Sequence, residues 1–143
     1  MLLQRVNKKD QEKIFISVKG VEGATITAGL PVAFAVATSN DGINAVIANA
    51  SGDMPGFIGI AVADIANNDY GLVQVFGFVN SVLLSNVGSS ITINAGDPLV
   101  PGPAGMFSAA PAYANSGFKY VIASNVPVAM SAAAYASGLI KML

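Results

Sequence analysis

The sequence predicts an all-β fold, a small β-barrel or β-sandwich with an extended N-terminal arm. Three observations support this fold class. Short runs rich in Val, Ile and Phe recur along the 143 residues. Turn signals separate these runs roughly every 8 to 12 residues, which is typical of sandwiches and small barrels. No segment keeps a helical period of apolar residues over several turns.

The chain divides into an arm, residues 1–20, and a single β domain, residues 21–143. Alternating or continuous apolar runs mark the candidate strands. In chain order they are Ile14–Lys19, Ala24–Thr27, Val32–Thr38, Ile43–Ala48, Phe57–Ile65, Leu72–Val79 continued by Ser81–Leu84 past a bend at Asn80, Ser90–Asn94, Leu99–Val100, Met106–Ser108, Lys119–Ala123, Val126–Met130 and Leu139–Met142.

Turn residues set the connections between these strands. Asp41–Gly42 is a tight-turn signal, so Val32–Ala48 is predicted to be a β-hairpin. Pro101–Gly105 is predicted to be an open loop, because two prolines cannot continue a central strand. The alanine-rich stretch Ser131–Ser137 is predicted to form one or two helical turns.

Two short segments of the chain resemble each other. Ile26–Val32 reads ITAGLPV and Ile93–Leu99 reads INAGDPL. In each, a glycine supplies a turn and a proline opens the next strand. Two such corners suit two halves of one barrel, although a chance match between segments this short is a competing explanation.

The composition predicts an oligomer. Hydrophobic residues make up 53% of the chain and charged residues 10%, against about 25% charged residues in an average domain. So few charges leave apolar surface that another subunit or a partner is expected to cover. The alternative is a monomer with a surface of small polar residues. No run of about 20 apolar residues is present, so no membrane contact is expected.

The charges are concentrated near the N-terminus. The first 22 residues hold five bases and three acids, a net charge of +2, whereas the remainder holds two bases and five acids, a net charge of −3. Binding of nucleic acid requires several cations on the binding face. The β domain is therefore not expected to bind nucleic acid.

Catalysis is not expected. The chain has no Cys and no His, which excludes disulfides, thiol chemistry and mechanisms that need imidazole. Ser116–Lys119 matches the S-x-x-K pattern but lacks the companion motifs of that enzyme class. Most of the aspartates lie in turns, where they accept hydrogen bonds from backbone amides. Asp64 is expected to face outward or to bond a strand end. We expect no cofactor and no metal site.

Several stretches together resemble the head decoration, or capsid cement, proteins of bacteriophages. They are Gly59–Ala66 (GIAVADIA), Gly71–Gly77 (GLVQVFG), Ile93–Leu99 (INAGDPL) and the closing Gly138–Leu143. The resemblance covers the chain from about Ala28 to the end. It lies in the order of the strands and in the types of residue that they contain. The Pro/Gly loop departs from the family pattern.

The resemblance implies a non-enzymatic virion protein on the outer surface of a phage head, made in the host cytoplasm. Such proteins are commonly trimers that bind the major capsid protein at symmetry axes and stabilise the head. Met1–Gly20 would be an arm along the capsid. The predicted assembly contacts, chosen by their location, are Arg5, Lys8, Lys9, Lys13, Pro101 and Pro103. The alternatives are a head-fibre base, a tail component, or a β module that binds carbohydrate or a cell surface.

Overall fold

A computed structural model of the chain describes residues 12–36, 42–49, 56–84, 91–102, 107–109, 121–123, 128–130 and 133–141. Eleven strands account for most of these residues, and no α-helix occurs in the part of the chain described. The strands are β1 (Ile14–Gly20), β2 (Pro31–Phe34), β3 (Asn44–Ile47), β4 (Phe57–Ala61), β5 (Tyr70–Leu84), β6 (Ile91–Ile93), β7 (Pro98–Pro101), β8 (Phe107–Ala109), β9 (Val121–Ala123), β10 (Val128–Met130) and β11 (Ala134–Lys141).

Nine of the strands form two closed rings that share β5. The first ring runs β1-β3-β2-β4-β5 and closes because β5 pairs with β1. The second ring runs β5-β11-β9-β7-β8 and closes where Leu84 of β5 pairs with Phe107 of β8. The remaining strands, β6 and β10, pair with each other. The predicted all-β small barrel is confirmed.

The shared strand β5 is 15 residues long and changes partners near its centre. Its first half pairs with β1 and β4, and its second half pairs with β11. Gly77 lies at this change with φ of 101°, and the backbone oxygen of Glu12 occupies the space that a Cβ would take. Nearby, the Gln74 side chain donates to the backbone oxygens of Phe76 and Phe78, at 3.1 Å each. A glycine therefore permits the bend, and a buried amide stabilises it.

Two hydrophobic clusters fill the molecule. The smaller cluster lies inside the first ring and includes Val18, Ile58 and Val73. The larger cluster fills the second ring and also contains Ile60 and other residues from the first ring. Within it, the rings of Phe57 and Phe107 meet edge to face, with centroids 6.0 Å apart. The two rings are therefore packed against each other through a common core.

The two similar corners of the sequence have the same backbone geometry. Gly29 and Gly96 have φ of 86° and 94°. The amide of Gly29 donates to the oxygen of Ala61 at 2.9 Å, and that of Gly96 donates to Ala123 at 2.8 Å. Each corner opens a strand, β2 or β7, that pairs with the next two strands of its own ring. The corners thus begin two corresponding rings rather than two halves of one barrel.

Most predicted strands are present, and two predictions need correction. The hairpin of β2 and β3 is confirmed. The predicted helical stretch Ser131–Ser137 is wrong, because Ala134–Ser137 belong to β11 and pair with β5. The predicted loop at Pro101–Gly105 starts too early, since Pro101 ends β7. The predicted arm, residues 1–20, overlaps β1, so Ile14–Gly20 belong to the sheet. Residues 1–11 lie outside the described residues, and the division into arm and domain stays a prediction.

Candidate interaction surface

The described aspartates serve the backbone. Asp64 Oδ1 accepts a hydrogen bond from the Ala28 amide at 2.8 Å, as expected for an exposed residue that bonds a strand end. Asp69 accepts from the amide of Tyr70, and Asp97 accepts from that of Asn94, both at 2.8 Å. Among the described residues, no three carboxylates come together to hold a metal ion. These side chains therefore stabilise the local backbone.

One cavity lies where β4 meets the bend of β5. Its volume is about 160 Å³, and Lys13, Gln74, Asn80 and Ser81 supply its polar lining. Sites for small-molecule ligands usually occupy roughly 300–1,000 Å³. This space is too small for a typical substrate, although it is large enough for a few water molecules.

The outer surface of the first ring carries four large apolar side chains that we call the first-ring wall: Phe15, Val62, Tyr70 and Leu72. Leu72 is the cross-strand partner of Ser17, and Phe15 is two residues from Ser17 on the same face. The amide of Val62 donates to the oxygen of Leu72 at 3.1 Å, which places Val62 beside it. The wall is therefore one contiguous patch.

The size of the first-ring wall fits the core of a protein interface. Its residues are 42% (Phe15), 48% (Val62), 64% (Tyr70) and 51% (Leu72) exposed. Taking about 200 Å² for each fully exposed residue, the patch leaves about 400 Å² in contact with water. A standard interface buries about 800 Å² per partner, and somewhat more than half of this area is apolar.

The outer surface of the second ring carries a second apolar patch, which we call the second-ring row: Pro98, Ile122 and Leu139. Leu139 pairs with Ile122, and Ile122 pairs with Pro98, so the three side chains share one face across three strands. Leu139 is exposed and the other two are half-buried. Phe78, the partner of Leu139 on β5, extends the row to a fourth strand.

The structure locates part of the predicted contact set. Arg5, Lys8, Lys9 and Pro103 lie outside the described residues. Lys13 is exposed and lies at the rim of the cavity described above. Pro101 is buried at the end of β7, and its part in a contact stays a prediction.

Sequence reasoning missed the first-ring wall. In β1 and β5 the buried positions Val18 and Val73 set the inward phase of each strand. Phe15 and Leu72 are out of phase with them, and an out-of-phase large apolar residue marks an exposed position. This signal was present in the sequence. The contribution of Val62 was not visible, because it depends on where β4 ends.

Comparison with solved structures gives one informative likeness. The chain is similar to the N-terminal base of the head fibre protein gp8.5 of bacteriophage phi29, with a TM-score of 0.53 and 15% sequence identity. The similarity covers 92% of this chain and 96% of that chain. At this level of identity the likeness shows that the two proteins share a fold. No protein-family model matches the chain, and no curated protein matches it.

The likeness extends over nearly the whole of both chains. In the described ranges, no helix has the length and apolar character needed to cross a membrane.

Proposed function

We propose that this chain is a non-enzymatic structural protein of a phage head, bound to the outer surface of the shell through the major capsid protein. The observation that carries the proposal is the fold shared with a head fibre base over nearly the full length of both chains. We propose that the chain has the corresponding role, as a base module for a head fibre.

Contact is the proposed mechanism. Apolar area buried across a subunit boundary stabilises it by roughly 25 cal/mol per Å². The two exposed apolar patches supply such area, and the described aspartates Asp64, Asp69 and Asp97 accept hydrogen bonds from backbone amides. We propose that the chain works as a homo-oligomer, with a trimer as the expected state, and that it uses no cofactor.

A second candidate is a decoration protein that stabilises the shell without carrying a fibre. The sequence stretches Gly59–Ala66, Gly71–Gly77 and Ile93–Leu99, which resemble the capsid cement proteins, favour it. Both candidates place the chain on the outside of the head. They differ in what binding does to the shell. A decoration protein that bridges neighbouring capsid subunits loses its site when the shell ruptures and therefore stabilises the intact shell by mass action, whereas a base bound within one capsomer keeps its site.

The test uses shells of the phage that encodes the chain, prepared without it. Purified protein is added, bound copies are separated by sedimentation, and their positions are determined by cryo-electron microscopy. We expect saturable binding at regular outer sites. Absence of binding to intact shells would overturn the proposal.

The same shells separate the two candidates. A decoration protein raises the temperature at which the shell ruptures, whereas a fibre base leaves that temperature nearly unchanged. Shells incubated with heat-unfolded protein are the control for both measurements.

A further inference from the structure

Within the chain, residues of the second ring cover the Gly29 corner of the first ring. They also cover one row of side chains on the outer surface of the first ring. The amide of Leu83 donates to the oxygen of Gly29 at 3.0 Å, and the ring of Tyr135 comes within 3.3 Å of the position that a Gly29 Cβ would take. The row Pro31–Ile60–Gln74 joins three neighbouring strands by register. Ile60 is fully buried in the cluster that fills the second ring.

The second ring has the same corner and the same row, and among the described residues the corner is exposed and the row is exposed or half-buried. The register of Pro98, Ile122 and Leu139 repeats that of the first-ring row. The corner at Gly96 is exposed, and no described atom lies within 4 Å of the position of its ideal Cβ. Leu139 is 43% exposed, whereas Gln74, its counterpart, is 4% exposed.

The surface that does the covering also has a counterpart. Tyr135, which touches the Gly29 corner, pairs across the strands with Leu83. In the first ring Tyr70 occupies the matching position and pairs with Lys19. Tyr70 is the most exposed residue of the first-ring wall, at 64%. Each of the two contacting surfaces therefore occurs twice in the chain. One occurrence takes part in the contact between the rings, and the other does not.

We propose that the Gly96 corner and the second-ring row of one copy pack against the first-ring wall of a second copy of this chain. This contact between two copies corresponds, position by position, to the contact between the two rings inside each copy. Because its two sides are different surfaces, it is a head-to-tail contact, which forms a closed ring of subunits when the rotation closes. This inference rests on the proposed function for its biological setting. It identifies the surfaces through which the copies of the proposed homo-oligomer contact each other.

Charge complementarity supports a second copy as the occupant. Inside the chain the facing positions are apolar, since Leu83 packs against the cluster that contains Leu30. Their counterparts between copies are Lys19, beside Tyr70, and Asp97, in the Gly96 corner. An apolar pair is thus replaced by a pair of opposite charges. A contact between two first-ring walls would instead bring the Lys19 side chains together.

The contact between copies relies on side chains. The counterpart of the Leu83 amide is the amide of Lys19, which already donates to the oxygen of Ile43 at 2.9 Å. Each strand of the two rings also has neighbours on both sides, so neither ring offers an open edge to another chain. Substitution of exposed side chains therefore tests the contact without breaking the sheet.

Cysteine pairs provide the test, since the natural chain contains no cysteine. The variant Tyr70→Cys with Ala95→Cys places one thiol on the wall and one beside the Gly96 corner. Tyr135→Cys with Ala28→Cys is the matched control, because it marks the same contact inside the chain. Each pair and each single variant is treated with a short bismaleimide reagent, without heads present, at the highest concentration at which the protein stays dissolved.

We expect the control pair to crosslink within one chain, and the Tyr70/Ala95 pair to crosslink between chains into a ladder that ends at a closed ring, with three chains as the expected number. Single variants should stay uncrosslinked. The inference is overturned if the control pair reacts and the Tyr70/Ala95 pair does not. It is also overturned if Tyr70→Cys alone gives covalent dimers, which is the result for two walls in contact.

A second measurement tests the charge pair. Lys19→Glu should weaken self-association at least severalfold in sedimentation velocity, whereas Lys19→Arg, which keeps the positive charge, should not. Equal effects of the two variants contradict the inference. If the protein crosslinks between chains but does not bind shells, the proposed function is wrong and this inference stands. If it binds shells but does not crosslink between chains, this inference is wrong and the proposed function stands. A Lys19→Glu variant that still associates but no longer binds shells would assign the wall to the capsid instead.

Discussion

Replacing Phe107 by alanine tests whether the second ring is held closed by its core. Phe107 is fully buried, and it lies on β8, the strand that closes the ring through Leu84. Removal of a buried Phe side chain costs about 3–5 kcal/mol, because apolar area is lost and a cavity remains. The edge-to-face contact with Phe57 accounts for about 0.5–1.5 kcal/mol of this loss. We expect a total near 4 kcal/mol.

Urea unfolding followed by tyrosine fluorescence measures this loss, since the chain has four Tyr and no Trp. With a slope of about 2 kcal/mol per molar urea, the midpoint should fall by about 2 M. Protein concentration must stay fixed, because association also contributes to stability. Val36→Ala, which shortens an exposed apolar side chain, is the control and should cost less than about 1 kcal/mol.

A double-mutant cycle isolates the ring–ring contact. Phe57→Ala, Phe107→Ala and the double variant should show a coupling free energy of about 1 kcal/mol. A loss below about 1 kcal/mol for Phe107→Ala would refute the reasoning, since it would mean that β8 does not contribute to the core. A large loss of unfolding free energy without coupling would mean that burial of Phe107 stabilises the fold and that its contact with Phe57 does not.

Three further predictions concern stability. Gly71→Ala should cost about 2 kcal/mol or more, because its Cβ would overlap the buried Ile65 side chain, whereas Gly56→Ala, with only ordinary contacts, should be tolerated; equal urea midpoints would contradict this. Asp64→Ala should lose about 1 kcal/mol with its hydrogen bond to the Ala28 amide, and Asp64→Asn should retain most of it in the same assay. The melting temperature should be nearly constant from pH 6 to pH 8, because the chain has no His; a steep change in calorimetry would show that another group titrates there.

The strand pattern was predictable where local signals and tertiary contacts agree. The Asp41–Gly42 signal correctly indicated the hairpin of β2 and β3. The helical prediction for Ser131–Ser137 was wrong because it relied on residues such as Ala134 and Ala136, and alanine favours helices in isolation. In the structure every second residue of this segment packs on the core, and the segment pairs with β5. The bend expected in β5 at Asn80 coincides with a shift of register between β5 and β11. The second irregularity of β5, at Gly77, was not predicted, because a distant segment at Glu12 makes a glycine necessary there.

The candidate surface was less predictable than the fold. Composition indicated that apolar area is exposed, and the structure locates it on the first-ring wall. The two-ring arrangement was beyond sequence reasoning, because the signal was limited to one pair of seven-residue corners. Which corner is covered depends on how the rings pack, and that packing involves residues far apart in the chain.

The pairing at Phe76 determines how anything joined to this fold would be arranged. Ile14 at the start of β1 and Lys141 at the end of β11 are both partners of this one residue of β5. Neighbouring strands lie about 4.8 Å apart, so the two ends are within about 10 Å of each other. The points of attachment ahead of β1 and after β11 therefore lie close together, where the two rings meet on β5. Tension applied between these two points would act on β1 and β11, one strand of each ring.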